Sequence, residues 1–177
     1  MSDEATINGK SIMTYAGIAF KLEKDGMIHE AEILFQKIIT AMEEYSLATG
    51  DGVAPAYYAE LAKIYRKNKQ KELLDNILFR YLTQVKACGN SPRTLLKNYL
   101  NLHNGENHDD VIKRIVDGYN ETIKKSTLPT IEFTCPNCGN TSKYLKFKAL
   151  DGIHTDLVSS CCTYCLEEIC NDPWIPV

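Results

Sequence analysis

A mainly α protein of antiparallel helix pairs, followed by a small C-terminal β module, is predicted by three observations. From about Lys10 to Lys125 apolar residues recur at steps of three and four, in six stretches separated by glycine, proline or polar turn residues. Beyond Ser126 the period changes: Ile131, Phe133, Leu145 and Phe147 alternate with polar neighbours, as residues of a half-buried strand do. Within that second region Cys135-Pro-Asn-Cys138-Gly139 is answered by Cys162-Thr-Tyr-Cys165. The expected division is a helical part over 10–125, a proline-interrupted linker over 126–130, and the small module over 131–177.

The first helix spans Ser11 to Lys24, with Ile12, Tyr15, Ala19 and Leu22 on one stripe, and stops at Asp25-Gly26. The second starts near Ile28 and carries Ala31, Leu34, Phe35, Ile38, Met42 and Tyr45, fading by Leu47 before Ala48-Thr49-Gly50-Asp51-Gly52. Ala54-Pro55 opens the third, where proline sits in a first turn that needs no N–H; its stripe is Tyr58, Leu61, Ala62 and Tyr65. After the polar turn Lys67-Asn68-Lys69-Gln70 a fourth holds Leu74, Ile77, Leu78, Tyr81 and Val85. Cys88-Gly89-Asn90-Ser91-Pro92 is a stop, a cap and a restart. The fifth helix holds Leu95, Leu96, Tyr99 and Leu100 and ends in His103-Asn104-Gly105. The sixth, capped near Asp109, holds Val111, Ile112, Ile115, Val116, Tyr119 and Ile123. Beyond the linker, Asp151-Gly152 turns the chain back into a strand from Ile153 to Val158.

At 177 residues the chain is long enough to bury a core, but the C-terminal module needs a staple. Two residues between cysteines let a tight turn aim both sulfurs at one point, so Cys135, Cys138, Cys162 and Cys165 form the four corners of a tetrahedral Zn²⁺ site. Cys161 and Cys170 stand nearby as alternative donors; Cys162 is chosen over Cys161 because it makes the C-x-x-C with Cys165. Four sulfurs leave no open position for water or substrate, which makes one structural zinc the expected cofactor.

Six of the seven cysteines fall between Cys135 and Cys170, a distribution that suits metal ligation in a reducing compartment. The N-terminal MSDEATINGK is unlike a signal peptide, and no apolar run approaches the ~20 residues that span a bilayer, so the expected location is cytoplasmic. Of the formal net charge of −3, all falls beyond Thr127, where three lysines face six carboxylates. An acidic module carrying thiolates repels phosphates, which argues against nucleic acid as the partner.

Two resemblances extend this reading. Tyr15, Ile18, Ala19, Leu22, Gly26, Ala31 and Phe35, and more weakly Tyr58, Leu61, Ala62 and Tyr65, fall in step with the tetratricopeptide repeat, so residues 11–87 resemble an irregular array of that family. The resemblance implies a protein partner, a peptide or helix held in the groove of the stacked helices. Cys135-Pro-Asn-Cys138-Gly139 is similar to the first knuckle of the zinc ribbon family; the second knuckle departs from it, with Leu166 where glycine is common.

Tyr57 falls off the stripe of its helix and, with Arg66 and Lys67 in the basic run Lys63, Arg66, Lys67, Lys69 and Lys71, is the candidate partner-binding patch for an acidic peptide. Trp174, between Pro173 and Ile175, is expected to pack against the module or the last helix. His29, His103, His108 and His154 fall on turns or exposed positions, and helix capping accounts for the polar loop from Asn104 to Asp110. No phosphate-loop, dinucleotide, nucleophile-elbow or H-E-x-x-H signature is present, so no catalytic residues are assigned. The sequence points to a non-enzymatic interaction adaptor or regulator with structural zinc. The alternatives are a nucleic-acid-associated zinc-ribbon regulator and an enzyme built around His103 and His108 or around Cys161 and Cys170.

Overall fold

The structure, a computed structural model, describes residues 5–86, 90–145, 159–166 and 168–170. Cys88, Phe147, His154 and Trp174, and the expected turn at Asp151-Gly152 with its strand to Val158, lie outside the described residues. The described chain is mostly helical with small antiparallel two-stranded sheets, as expected. Among the described residues no helix is long and apolar enough to cross a membrane.

A short hairpin, β1 (Thr6–Ile7) and β2 (Lys10–Ser11), precedes the helices. Its turn is Asn8-Gly9, both at positive φ (50° and 74°), the backbone that a two-residue hairpin turn requires. Ser11 leads directly into α1 (Ile12–Lys24) and caps it, its Oγ accepting from the Met13 N–H at 3.2 Å. Gly26 at φ 81° reverses the chain into α2 (Ile28–Thr49), which runs past Leu47 and stops at Gly50, left-handed at φ 84°.

α3 (Ala56–Lys67) follows Pro55, and Lys69 at φ 57° makes the turn into α4 (Lys71–Leu82). The expectation that α4 continues through Val85 is corrected: the Val85 carbonyl leaves the helix to accept from the Val53 N–H at 2.8 Å, tying the loop after α2 to the end of α4. α5 (Asn90–Leu102) and α6 (His108–Ile123) complete the helical part. Asn107 caps α6, its side chain accepting from Asp109 N–H at 2.8 Å and Asp110 N–H at 3.3 Å, so helix capping accounts for the end of that polar loop, while Glu106 pairs with His103 and Arg114.

α1 packs on α2, α2 on α3, α3 on α4 and α4 on α5, around one core in which Phe35, Tyr58, Leu61, Leu78 and Tyr81 have no exposed surface. A polar seam locks three of these helices. The Arg80 guanidinium of α4 donates to both Glu43 oxygens (2.8 and 2.7 Å) and to Gln36 and Thr40 of α2, while the Tyr58 hydroxyl of α3 donates to Glu43 at 2.9 Å. The planar fork suits bidentate contact with a carboxylate.

α6 approaches α4 closely at Gly118, where an added Cβ would lie 2.5 Å from Thr83 Cγ2 and 3.0 Å from Phe79 Cζ. Beyond α6, β3 (Thr130–Thr134) pairs antiparallel with β4 (Thr141–Leu145), in the register Thr130↔Leu145 to Thr134↔Thr141. Alternation puts Ile131, Phe133, Ser142 and Tyr144 on the inner face and leaves Glu132 and Lys143 outside. β5 (Ser159–Cys161) pairs with β6 (Glu168–Cys170).

Gly118→Ala should destabilise the protein by about 1–3 kcal/mol, because overpacking against Thr83 outweighs the ~1 kcal/mol of helix propensity that alanine brings. Denaturant unfolding followed by far-UV circular dichroism checks it; equal or greater stability would show that α4 and α6 separate freely.

Candidate metal centre

The first knuckle is the turn of the β3–β4 hairpin. Thr134 and Thr141 close its base through their hydroxyls at 2.8 Å, and Cys135 donates its N–H to the Asn140 carbonyl at 3.0 Å. Gly139 returns its N–H to the Cys135 carbonyl at 2.8 Å with φ 70°. An added Cβ there would meet nothing within 4 Å, so the backbone angle, and not space, calls for glycine.

The second knuckle repeats this bond with a different residue. Leu166 donates its N–H to the Cys162 carbonyl at 3.0 Å and takes φ 57°, the same left-handed state. For leucine that conformation costs roughly 1–2 kcal/mol. Its side chain is buried, which offsets the strain.

The two knuckles bring four sulfurs together. Cys135 Sγ lies 3.6 Å from Cys165 Sγ and Cys138 Sγ lies 3.7 Å from Cys162 Sγ, and all four ligand atoms fall within 4.8 Å of one another. Bonded disulfide sulfurs stand about 2.05 Å apart, so neither contact is a disulfide. Four thiols aimed at one point can hold a metal ion, and the donors around them suit thiolates: Asn140 Nδ2 donates to Cys138 Sγ at 3.5 Å and the Tyr164 N–H to Cys162 Sγ at 3.4 Å. Burial pushes the Cys138 thiol up, but bonds from the Asn140 backbone and side chain, with those from Cys162 and Cys135, prevail and hold it at about 7. Burial raises Cys162. Cys135 and Cys162 are fully buried, whereas Cys138 and Cys165 reach solvent.

The cluster is seated on the helical part. Val85, Tyr119 and Ile123 share one apolar cluster with Tyr144, Leu145 and the two buried cysteines. The Tyr119 and Tyr144 ring centroids are 6.1 Å apart, and Tyr144 takes the Thr163 N–H of the second knuckle on its hydroxyl at 3.4 Å. Tyr119 also meets Lys86, itself buried, with Nζ 5.3 Å from the ring centroid while donating to the carbonyls of Leu82 (2.7 Å) and Gln84 (3.0 Å). Cation–π attraction and the carbonyl end of α4 together solvate that ammonium. Tyr164 stands between Cys162 and Cys165 and lines a cleft on each side, of about 610 Å³ and about 580 Å³; Asn120 of α6 borders both.

Of the other candidate residues, Arg66 and Lys67 are exposed as expected. Tyr57 is not. The expectation that it stands on an exposed patch is corrected: it is 6% exposed, because Phe20 and Phe35 pack on its ring (centroids 6.4 and 6.5 Å) and its hydroxyl meets Met13 Sδ at 3.6 Å. His29 and His108 are exposed, but His103 is half-buried, with Nε2 2.6 Å from Asp75 and Nδ1 2.5 Å from Glu106, so both ring nitrogens are taken by carboxylates. Cys161 and Cys170 belong to β5 and β6.

Sequence reasoning missed the parts that seat the site: Lys86, the inner-face role of Tyr144, and Tyr164, a residue whose position inside a C-x-x-C carries no signal of docking. No family model, curated protein or solved structure matches the chain.

Proposed function

We propose that the protein is a non-enzymatic interaction adaptor or regulator, in which a structural zinc site orders the C-terminal module and the helical part takes a protein partner. The observation that carries the metal assignment is the spacing of the sulfurs. Zinc–thiolate bonds of about 2.3 Å at tetrahedral angles put sulfurs about 3.8 Å apart, close to the 3.6 and 3.7 Å found. Thiolates select soft or borderline cations, and zinc is the common one with four sulfurs. When bound it supplies cross-linking and charge neutralisation, with no open position for substrate. The resemblance to zinc ribbons over the cysteine motifs agrees with this, and with it goes the proposed division into a helical part over 10–125, a linker over 126–130 and a module over 131–177. A site of reduced thiols suits the cytoplasm.

The partner reading rests on a strip along α1 and α3. Tyr57 meets Met13, and Lys63 bonds Glu23 at 2.8 Å, so the two helices run side by side in the same direction. At one end Met13 is 64% and Phe20 39% exposed; at the other stands Lys67, on the Lys63 side of α3, with exposed Arg66 next to it on the outer face of the helix, neither with a carboxylate partner among the described residues. From Tyr57 to Arg66 is about 14 Å of helix, the length of about four extended residues. A segment with an apolar side chain followed four residues on by aspartate or glutamate matches both ends. Tyr57 serves this strip from beneath, holding Met13 and Phe20 in place.

Native mass spectrometry should find one zinc per chain. Cys138→Ser should lose it and unfold the C-terminal module while α1 to α3 keep their helicity; ordered knuckles after complete chelation would defeat the metal assignment.

A fluorescein-labelled peptide of alternating leucine and glutamate should bind at low salt, and Arg66→Glu with Lys67→Glu should weaken it at least tenfold. Absence of binding, together with salt-dependent binding of labelled duplex DNA lost in the same variant, would favour the nucleic-acid reading instead.

A further inference from the structure

The sulfur cluster and the end of the helical stack are one packed unit. Val85 and Lys86 at the end of α4, Tyr119 and Ile123 of α6, and Tyr144 of β4 surround each other, and two metal-site cysteines belong to the same apolar cluster. α6 carries one apolar stripe that serves two neighbours in succession: its first turns, with Val111, Ile112 and Ile115, face the main core, and its last turns, with Tyr119 and Ile123, are covered by the knuckle module. A repeat-like stack needs its terminal helix covered, and here the cover is a module too small to fold without its staple.

We propose that the metal centre works as a latch on this end of the stack: with metal bound, Tyr144 and Tyr164 are pressed onto α6, and with metal lost, the Tyr119, Ile123 and Val85 face opens. This rests on the metal assignment above. Three observations carry it further. Tyr144 ties both knuckles to α6 at once, since its ring packs on Tyr119 and its hydroxyl holds the Thr163 N–H. Buried Lys86 has Tyr119 over its ammonium, so uncovering the ring also wets a cation, and the opened face presents apolar and positive groups together. Finally, Cys138 and Cys165, the two solvent-reaching ligands, border the 580 Å³ cleft beside α6, which lets a competing chelator reach the metal without prior unfolding of the helices.

The latch obeys thermodynamic reciprocity: if metal stabilises the docking on α6, docking must stabilise the metal by the same factor. A residue outside the knuckles then controls metal affinity. The zinc content of the purified full-length chain is measured first; a chain that takes up no zinc overturns the metal assignment. With zinc present, competition against a chromophoric chelator should show affinity lowered about tenfold or more in Tyr119→Ala. The milder Ile123→Ala gives a smaller loss in the same direction and serves if the first variant does not fold. Zinc affinity unchanged in a folded variant overturns the latch and leaves the zinc site standing.

Hydrogen exchange on the wild type gives the reverse reading. On chelation, amides of α6 and of residues 85 and 86 should lose protection while those of α1 and α3 keep it. Uniform loss over all helices, or no change in α6, overturns the proposal.

Discussion

Four sulfurs converging on one point are the constraint on which the C-terminal part depends. The β3–β4 hairpin is two short strands, and an isolated hairpin is marginal in water. Its inner face offers Ile131, Phe133 and Tyr144, Leu145 is buried at the end of β4, and the second knuckle adds Leu166. Such a surface cannot offset the entropy of ordering some forty residues. What makes the arrangement possible is that both knuckles adopt one backbone solution, a left-handed residue after the second cysteine returning its N–H to the first, although one uses glycine and the other a leucine held there by burial.

The helical part depends on a different balance. Its core is ordinary close packing, but its register is specified by polar contacts at the seams. Arg80 reaches Glu43, Gln36 and Thr40 from α4 while Tyr58 reaches the same Glu43 from α3. Burial raises the Tyr58 hydroxyl well above its ordinary range, and the neighbouring Glu43 carboxylate adds to it, so the phenol stays a donor. Partly exposed ion pairs contribute little by themselves; this one matters because three helices must be in place for it to form. Gly118 sets the complementary steric condition, since α6 sits where it does only because one residue lacks a Cβ.

The two parts meet at Tyr119. Lys86 and Tyr144 both contact this ring, with Tyr164 bridging to the main core. A cover that shares its apolar cluster with metal-site cysteines binds the order of α6 to the order of the knuckles, while α1 and α3 stand away from that junction and α2 meets it at Leu47 in its last turn. The strip proposed for a partner, from Met13 to Lys67, lies in that independent region.

Periodicity by itself determined the six helices, because a stripe at steps of three and four has one low-energy outcome when the chain can bury it, and the glycine and proline breaks placed their ends within a few residues. The cysteine spacing likewise determined the cluster, since only a tight turn brings sulfurs two residues apart to one point. The β1–β2 hairpin was signalled by Asn8-Gly9 but flanked by strands too short for alternation to show. Tertiary structure alone decided the rest. Tyr57 went under because Phe20 and Phe35 of other helices close over it, Val85 lies beyond the end of α4 with its carbonyl bonded to Val53, and Lys86 was buried because a helix end and an aromatic ring converge on it. None of these has a local signature: each depends on a partner distant in sequence, and only the packed chain brings that partner near.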